Sequence, residues 1–257
     1  MNLAKVLWFF LSRKNFFFEK KKQKTFANLH PTQPDPAVLT HMLAHEPDAA
    51  ARWVENAARA GLPQAQTRLG RMLLEGTGIA QDHHAAWRWF MTAARANDTD
   101  AINMVGRCHE NGWGVPQDYA AAAHWFKRAA DLGDAWALYN LGHLYLDGTG
   151  VARDHAAAFA CYEAAAAQGH PRAMNLLAVC HERGWGTPPN PALAALWYQR
   201  SAEAGYFRGQ YNHATVLLAA GRHAEAVSWL RRAAQAGNEA VRLRAEALLS
   251  RLTPHPA

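Results

Sequence analysis

The sequence predicts an all-α protein in which about six helix hairpins follow one another in tandem, with a single capping helix after the last. Three columns of similar residues carry this prediction, because they recur every 36 residues and two of them shorten their step to 32 at the last repeat. Such self-similarity is typical of a repeat array whose members cannot bury their apolar faces alone. The columns are a repeat-ending position (Gly61, Asn97, Gly133, Gly169, Gly205, Gly237), a small helical position (Gly70, Gly106, Gly142, Ala178, Ala214) and an aromatic position (Trp53, Trp89, Trp125, Cys161, Trp197, Trp229).

Each repeat has the pattern of two helices joined by a glycine turn. Apolar and small residues at spacings of three and four between residues 136 and 147 predict a first helix with one packing face. Gly148 and Gly150 end it, since glycine takes the left-handed conformation beyond a helix at no steric cost. A second helix is expected after Asp154, whose carboxylate can cap it. Asp82, Asp118 and Asn190 hold the same position in other repeats.

The period divides the chain into a head, an array and a tail. Residues 1–35 form a basic head rich in phenylalanine and lysine, residues 36–252 form the helical array, and residues 253–257 form a tail. The first hairpin is degenerate, and residues 238–252 have the pattern of an amphipathic helix that covers the open end of the core. The predicted repeats are 36–61, 62–97, 98–133, 134–169, 170–205 and 206–237, followed by the capping helix 238–252.

Residues 137–154 contain the strings Leu-Tyr-Asn-Leu-Gly and Gly-Thr-Gly-Val followed by an aspartate, and a closing Ala-Ala pair and glycine come after them. In this order the strings resemble the Sel-one-like repeat, a relative of the tetratricopeptide repeat, over about residues 48–237. The resemblance implies a right-handed α/α solenoid that serves as a protein-interaction scaffold. The chain departs from the pattern at Asn97, Ala178 and Ala214, and its last interhelical turn is shortened.

The net charge of +6 comes from the head. Residues 1–25 hold seven basic residues and one acidic residue, whereas the rest of the chain holds 20 of each. A neutral body offers no basic surface to nucleic acid, so no nucleic-acid partner is expected. The apolar run near the start is six residues long, too short to span a membrane. Three cysteines without close spacing favour a reducing compartment, hence a cytoplasmic protein.

Three interpretations of the head stay open. Leu3, Leu7 and Phe10 share one helical face and, with the lysines at 20–24, could anchor the protein at an anionic membrane surface. The head could also be the remnant of an export signal. The favoured interpretation is a disordered or non-native segment upstream of a true start at Met42, because its composition differs sharply from the alanine- and arginine-rich body. Membrane contact is expected, if anywhere, only through residues 1–25.

A duplicated string supplies the alternative hypothesis of a metal-binding or enzymatic repeat protein. Cys108-His109-Glu110 recurs as Cys180-His181-Glu182, and all three residue types are metal ligands. Consecutive helical residues point about 100° apart, however, so one string is poorly placed to chelate one ion. Sibling repeats hold apolar residues in the Cys and His columns, which favours packing positions. We therefore expect no catalytic residue, no metal and no cofactor. The sibling residues are Met72, Leu144 and Val216 in the Cys column and Leu73, Tyr145 and Leu217 in the His column.

The tryptophans fall into two groups. Those in the aromatic column keep strict phase with the alanine-rich second helix, so they are expected to pack in the core. Trp113 and Trp185 lie inside glycine turns where sibling repeats have threonine. For these two, contact with a neighbouring loop and contact with a partner both remain open.

The predicted binding site is the row of first helices, which lines the concave groove in related tetratricopeptide arrays. Asparagines in this row can donate to and accept from a peptide backbone, and arginines can pair with acidic groups. Alternatively, the asparagines bond within the array and set its curvature. The expected function is a non-enzymatic scaffold or adaptor for a protein or peptide. The candidate binding residues are Arg68, Arg71, Asn103, Arg107, Tyr139, Asn140, His143, Asn175, Tyr211 and Asn212.

Overall fold

The computed structural model of the chain describes His41 and residues 44–252, which contain twelve α-helices and no strand. The head, the start candidate Met42 and the tail lie outside the described residues. The helices are α1 Pro47–Arg59, α2 Pro63–Glu75, α3 His83–Arg95, α4 Thr99–Asn111, α5 Tyr119–Asp131, α6 Ala135–Asp147, α7 His155–Ala167, α8 Pro171–Arg183, α9 Pro191–Glu203, α10 Phe207–Ala219, α11 His223–Ala236 and α12 Glu239–Leu252.

The described residues form two compact units. The first holds α1 to α3, α4 as far as Cys108, and Gly112–Pro116, whereas the second holds His109–Asn111 and the chain from Gln117 onward. In the first unit α2 packs against α1 and α3. In the second, each helix from α5 to α12 packs against the next, and the first helices α8 and α10 of neighbouring repeats also touch. Stacked helix pairs of this kind make an α/α solenoid, which confirms the predicted fold class.

The predicted polar residue caps four of the second helices, whereas α1 and α11 have no side-chain cap. The side-chain oxygens of Asp82, Asp118 and Asn190 each accept a hydrogen bond from the backbone N–H three residues on, at 2.9, 2.9 and 3.1 Å. Asp154 accepts two such bonds, at 2.9 and 3.0 Å. Each cap satisfies a donor that the helix cannot satisfy itself.

Three of the first helices, α4, α6 and α8, also carry side-chain caps, which were not predicted, whereas α2 and α10 have none. Asp98 and Asp134 accept from backbone N–H groups of α4 and α6 at 2.8 and 2.6 Å. At the start of α8 the cap is His170, whose Nδ1 accepts from the backbone N–H of Ala173 at 3.2 Å. An imidazole therefore stands where two earlier repeats have a carboxylate.

The glycine turn between paired helices depends on two different properties of glycine. Gly148 ends α6 in the left-handed region at φ 73° and donates its N–H to the carbonyl of Leu144. Gly150 has φ 72°, and a Cβ there would collide with the backbone of Tyr119 at the start of α5. The turn can thus lie directly on the start of the preceding second helix only because the second position lacks a side chain.

A ring on the second helix packs against the small helical position of the first. A Cβ on Gly142 would lie 2.6 Å from the ring of Tyr162, and one on Gly70 would lie 2.5 Å from the ring of Phe90. Tyr162 and Phe90 are completely buried. The core therefore centres on this contact in both compact units.

The tryptophan column is only half-buried, and the fully buried column is the next residue along the chain. The indoles of Trp197 and Trp229 pack against the edges of core clusters, and the guanidinium groups of Arg200 and Arg232 lie 4.6 Å above their centroids. Each of these indoles thus covers the edge of the core and is itself covered by an arginine. The prediction that the tryptophan column packs in the core therefore holds only in part. The buried column contains Phe90, Phe126, Tyr162, Tyr198 and Leu230.

The last helix caps the array as predicted. Val241 and Ala245 of α12 are buried, and Leu248, Leu249 and Leu252 pack against the cluster formed by α10 and α11. The charged residues of this helix, such as Arg242 and Glu246, are exposed. The amphipathic pattern therefore placed the helix correctly.

Asn97 is the one described non-glycine residue with a positive φ, at 58°. It fills the repeat-ending column, in which Gly133 and Gly205 have φ of 88° and 85°. Gly237 departs from the column, because its backbone is extended at φ −78° before α12.

Asn97→Gly should stabilise the protein by about 0.5–1 kcal/mol, because glycine adopts this conformation without the Cβ cost. Gly133→Asn is the matched reverse change, with open space around a new Cβ. It should destabilise by a similar amount. Urea unfolding followed by circular dichroism measures both, and a loss of stability in Asn97→Gly would contradict the column assignment.

Gly142→Ala should destabilise the protein by about 1–3 kcal/mol, because the new methyl group overlaps the ring of Tyr162. Combining it with Tyr162→Leu should recover part of the loss, since the last repeat pairs Ala214 with Leu230 in one cluster. A double-mutant cycle measures this coupling. Additive losses would show that the two positions do not touch.

Candidate functional site

In the first compact unit, most of the predicted binding residues are engaged within the unit. Arg71 lies 2.9 Å from the carboxylate of Asp100. Asn103 is 4% exposed, so its carboxamide is not open to solvent. The guanidinium of Arg107 lies 5.0 Å above the ring of Trp113. Arg68 is exposed on α2. A partner of this unit would therefore meet Arg68 before the others.

In the second compact unit, α6 and α10 present a half-buried row of aromatic and polar side chains. Tyr139 and His143 lie one turn apart on α6 with ring centroids 4.6 Å apart, and Asn140 is beside them. On α10, Asn212 donates through Nδ2 to Oδ1 of Asn175 at 2.8 Å. Asn175 is 6% exposed. This pair links α8 to α10, as the alternative of bonding within the array supposed.

A cluster of aromatic and basic side chains that was not predicted surrounds Tyr139. The guanidinium of Arg172 lies 5.1 Å from the ring centroid of Trp136 and 5.8 Å from that of Tyr206, and it also interacts with the hydroxyl of Tyr139. The ring of His170 stands edge-on to Trp136 at 4.4 Å and lies 5.1 Å from Tyr139. We call these five residues the Arg172 cluster.

The sequence contains a signal for this cluster. The position two residues after each first-helix cap is Asp100, Trp136, Arg172 and Arg208 in successive repeats. It changes from acidic through aromatic to basic, at the same 36-residue step as the other columns. The signal was missed because the first-helix caps themselves were not recognised.

Burial controls the protonation of the histidine in the cluster. His170 is 6% exposed, and burial, with a smaller effect from the Arg172 charge, lowers its pKa to about 4. The neutral ring accepts a hydrogen bond at Nδ1, so its proton is on Nε2. Nε2 is buried and has no hydrogen-bond partner among the described residues. At neutral pH the positive charge of the cluster is therefore that of Arg172.

The side chains of the duplicated Cys-His-Glu string separate in the fold. Cys180 lies in the core against Tyr162, and burial raises the pKa of its thiol to about 11. The ring of His181 packs edge-on against Phe159 at 5.4 Å, whereas Glu182 accepts a hydrogen bond from the hydroxyl of Tyr198 at 3.0 Å. In the first compact unit burial raises the pKa of Cys108 to about 12. Over residues 44–252, no three His, Cys, Asp or Glu side chains form a metal-binding group.

The two turn tryptophans make contacts within their own compact units. Trp113 lies under Arg107, as described above. Trp185 lies 5.1 Å under the guanidinium of Arg183 and 5.8 Å from the ring of His155, and it packs against the core around Tyr162. Both tryptophans thus contact an arginine of the preceding helix, and a partner contact at these residues stays a prediction. Separately, none of the helices in the described part of the chain is long and apolar enough to cross a membrane.

The repeats of the chain match a known family and the fold of a solved structure. The family model for the Sel1 repeat matches five segments, residues 63–98, 99–134, 137–170, 171–206 and 209–238. A Sel1 repeat protein from Oxalobacter formigenes superposes with a TM-score of 0.77 at 27% identity, over 86% of this chain and 93% of that one.

A protective antigen of uropathogenic Escherichia coli with an SLR fold gives a TM-score of 0.68 at 28% identity, over 86% of this chain. The alignment covers 48% of the antigen, so this chain spans about half its length. An immunity protein from Pseudomonas aeruginosa shares the fold at a TM-score of 0.51 and 19% identity, over 85% of this chain and 83% of that one. A comparison with curated proteins found no match.

The buried imidazole of His170 should make the fold sensitive to acid. Because the folded pKa lies below the value of about 6.5 in an unfolded chain, the unfolded chain binds the proton first as the pH falls. This group should therefore lower the free energy of unfolding between about pH 6.5 and pH 4, by up to about 3 kcal/mol.

His170→Asn keeps a capping side chain that does not titrate in this range, so it should flatten the stability profile there. His124→Asn, at an exposed position on α5, is the matched control and should follow the wild type. Denaturant titrations at pH 7 and pH 4.5 measure the effect. A profile of His170→Asn that parallels the wild type would contradict the assignment.

Proposed function

This chain belongs to the Sel1 repeat family, and on that premise we propose that it is a non-enzymatic scaffold that binds a peptide or protein partner along its first helices. The observation that carries the proposal is the half-buried row of Tyr139, Asn140, His143, Tyr211 and Asn212 in the second compact unit. Aromatic rings and carboxamides at partial exposure can bury area and exchange hydrogen bonds with an extended chain.

The two helices of a hairpin differ in burial, and this difference supports the choice of the first helices as the binding surface. The second helices bury their alanines and rings in the core, as Ala158 and Tyr162 do on α7. The first helices bury only part of their circumference, and α6 leaves Tyr139, Asn140 and His143 partly exposed. Solenoids use such rows of neighbouring helices as extended binding surfaces.

The burial and packing of the Cys-His-Glu strings favour a scaffold over an enzyme or a metal protein. A thiol with a raised pKa is protonated at neutral pH, and the thiolate is the form that attacks substrates or ligates metals. The three side chains have different neighbours. Cys180 packs in the core, His181 packs against Phe159, and the exposed Glu182 accepts a hydrogen bond from Tyr198. Their recurrence is accounted for by packing in two repeats.

A peptide selection tests the proposed function. Random dodecapeptides displayed on phage are panned on the full chain, and the affinity of a selected, fluorescein-labelled peptide is measured by anisotropy. Asn140→Ala combined with Tyr211→Leu should weaken binding at least about tenfold, because the pair removes contacts on two first helices, α6 and α10, which lie on either side of α8.

The matched control is Lys127→Ala combined with Gln199→Ala, two exposed positions on the second helices α5 and α9. It should bind like the wild type, and thermal melting should confirm that every variant is folded. If the full chain retains no peptide, or if both double variants lose affinity equally, the first-helix row is not the binding surface.

A further inference from the structure

We propose that the Arg172 cluster, together with Arg208, recognises an acidic segment of the partner through two side-chain carboxylates. The inference rests on the proposed function and adds the chemistry of the bound segment. Neither arginine belongs to the row of residues predicted from the sequence. Arg172 lies beside the row in the cluster around Tyr139, and Arg208 lies about one turn before Tyr211 on α10.

The charges of Arg172 and Arg208 are not neutralised within the described part of the chain. Both side chains are exposed, and neither forms a salt bridge with any described carboxylate. Arg71, by contrast, is paired with Asp100 in the first compact unit. The second compact unit thus holds, on the adjacent helices α8 and α10, two guanidinium groups that have no carboxylate partner among the described residues.

Both arginines lie where helix electrostatics disfavours them. Each is the second residue of its helix, next to the partial positive charge of the N-terminus. Neither α8 nor α10 has an acidic residue in its first turn, whereas α4 has Asp100 in the corresponding position. A positive side chain next to the positive end of the helix dipole does not stabilise the helix. An anion bound at this end would interact favourably with both the helix N-terminus and the arginine.

The surroundings of Arg172 prepare it to bind a carboxylate. Stacking between the rings of Trp136 and Tyr206 restrains the guanidinium plane, which lowers the entropy lost when a ligand binds. A planar guanidinium pairs with a carboxylate through two parallel hydrogen bonds. His170 lies against the same rings and carries a donor on Nε2 that lacks an acceptor. The cluster is therefore rich in donors, and a carboxylate supplies only acceptors.

The spacing of the arginines selects acidic side chains over a chain terminus. Neighbouring packed helices lie about 8–10 Å apart, and an extended peptide advances about 3.3 Å per residue. Two acidic residues three positions apart in a peptide can therefore reach both arginines. A terminal carboxylate could engage one of them and would leave the other unpaired.

Panning of the displayed library on three forms of the full chain tests the inference. The variant is Arg172→Gln with Arg208→Gln. The control is Arg200→Gln with Arg232→Gln, which removes two exposed arginines that stack on Trp197 and Trp229 and so changes the charge equally. Wild type and control should enrich peptides with two acidic residues three apart, and the variant should not. An enriched peptide should bind the variant at least about tenfold more weakly.

Four outcomes would overturn the inference. If the selected peptides are not enriched in acidic residues, or if the variant enriches them equally, the two arginines do not recognise the partner. The proposed function still holds in that case, provided that Asn140→Ala with Tyr211→Leu weakens binding. If the acidic preference is lost equally in the control, net charge is the cause. If the wild type retains no peptide, the proposed function fails as well.

A stability measurement separates recognition from a structural role. Arg208→Asp introduces an acidic residue into the first turn of α10, like Asp100 in α4, so its melting temperature should equal or exceed that of the wild type. Its affinity for the acidic peptide should fall. If the melting temperature and the affinity both fall in this variant, Arg208 has a structural role and the loss of binding does not show recognition.

Discussion

The contact between a small residue on a first helix and a large buried side chain on its second helix is the constraint on which the hairpins depend. Gly142 lets α6 approach Tyr162, and Gly70 lets α2 approach Phe90, at a distance that a side chain would prevent. A fully buried ring of this kind contributes about 1.5–3 kcal/mol. Later repeats keep the contact with alanine, as Ala178 shares a cluster with Tyr198 and Ala214 with Leu230.

Because this contact holds each hairpin together, the opposite side of the first helix is free to vary. The position after the small residue is Arg71 in the first compact unit and His143 on α6, and it becomes Val179 and Thr215 further along. These residues share a backbone position but have different chemistry. Sites for partners on repeat arrays can therefore differ between relatives of the same fold.

The sequence predicts those helix starts and ends whose determining residues lie within one repeat. Asp154 caps its own helix, and Gly148 ends its own helix, so the local pattern contains the whole explanation. The binding surface was less predictable because its contacts cross repeats. The bond from Asn212 to Asn175 joins α10 to α8, and Arg172 lies between rings from α6 and the start of α10. Column positions alone do not show which repeats meet.

The aromatic column illustrates a second limit of the same kind. Tryptophan is the most conspicuous residue in the second helices, yet Tyr162 and Phe90 show that the buried position is the next one. A shift of one residue turns a helix by about 100°, and apolar character on both positions hides the difference. Only the contact with the glycine of the partner helix distinguishes them.

The first-helix caps connect stability with the binding surface. Asp98 caps α4 and also accepts a hydrogen bond from Thr67 at 3.0 Å, so one carboxylate serves the helix end and the neighbouring first helix. At α8 the cap is His170, and Tyr206 gives α10 no side-chain cap at all. The loss of acids at these two ends leaves the N-terminal charge of both helices uncompensated, at the place where Arg172 and Arg208 lie. The array tolerates this because its stability comes from large side chains buried in its hairpins, such as Phe90, Tyr162 and Leu230, and the chemistry of its exposed helix ends can therefore vary.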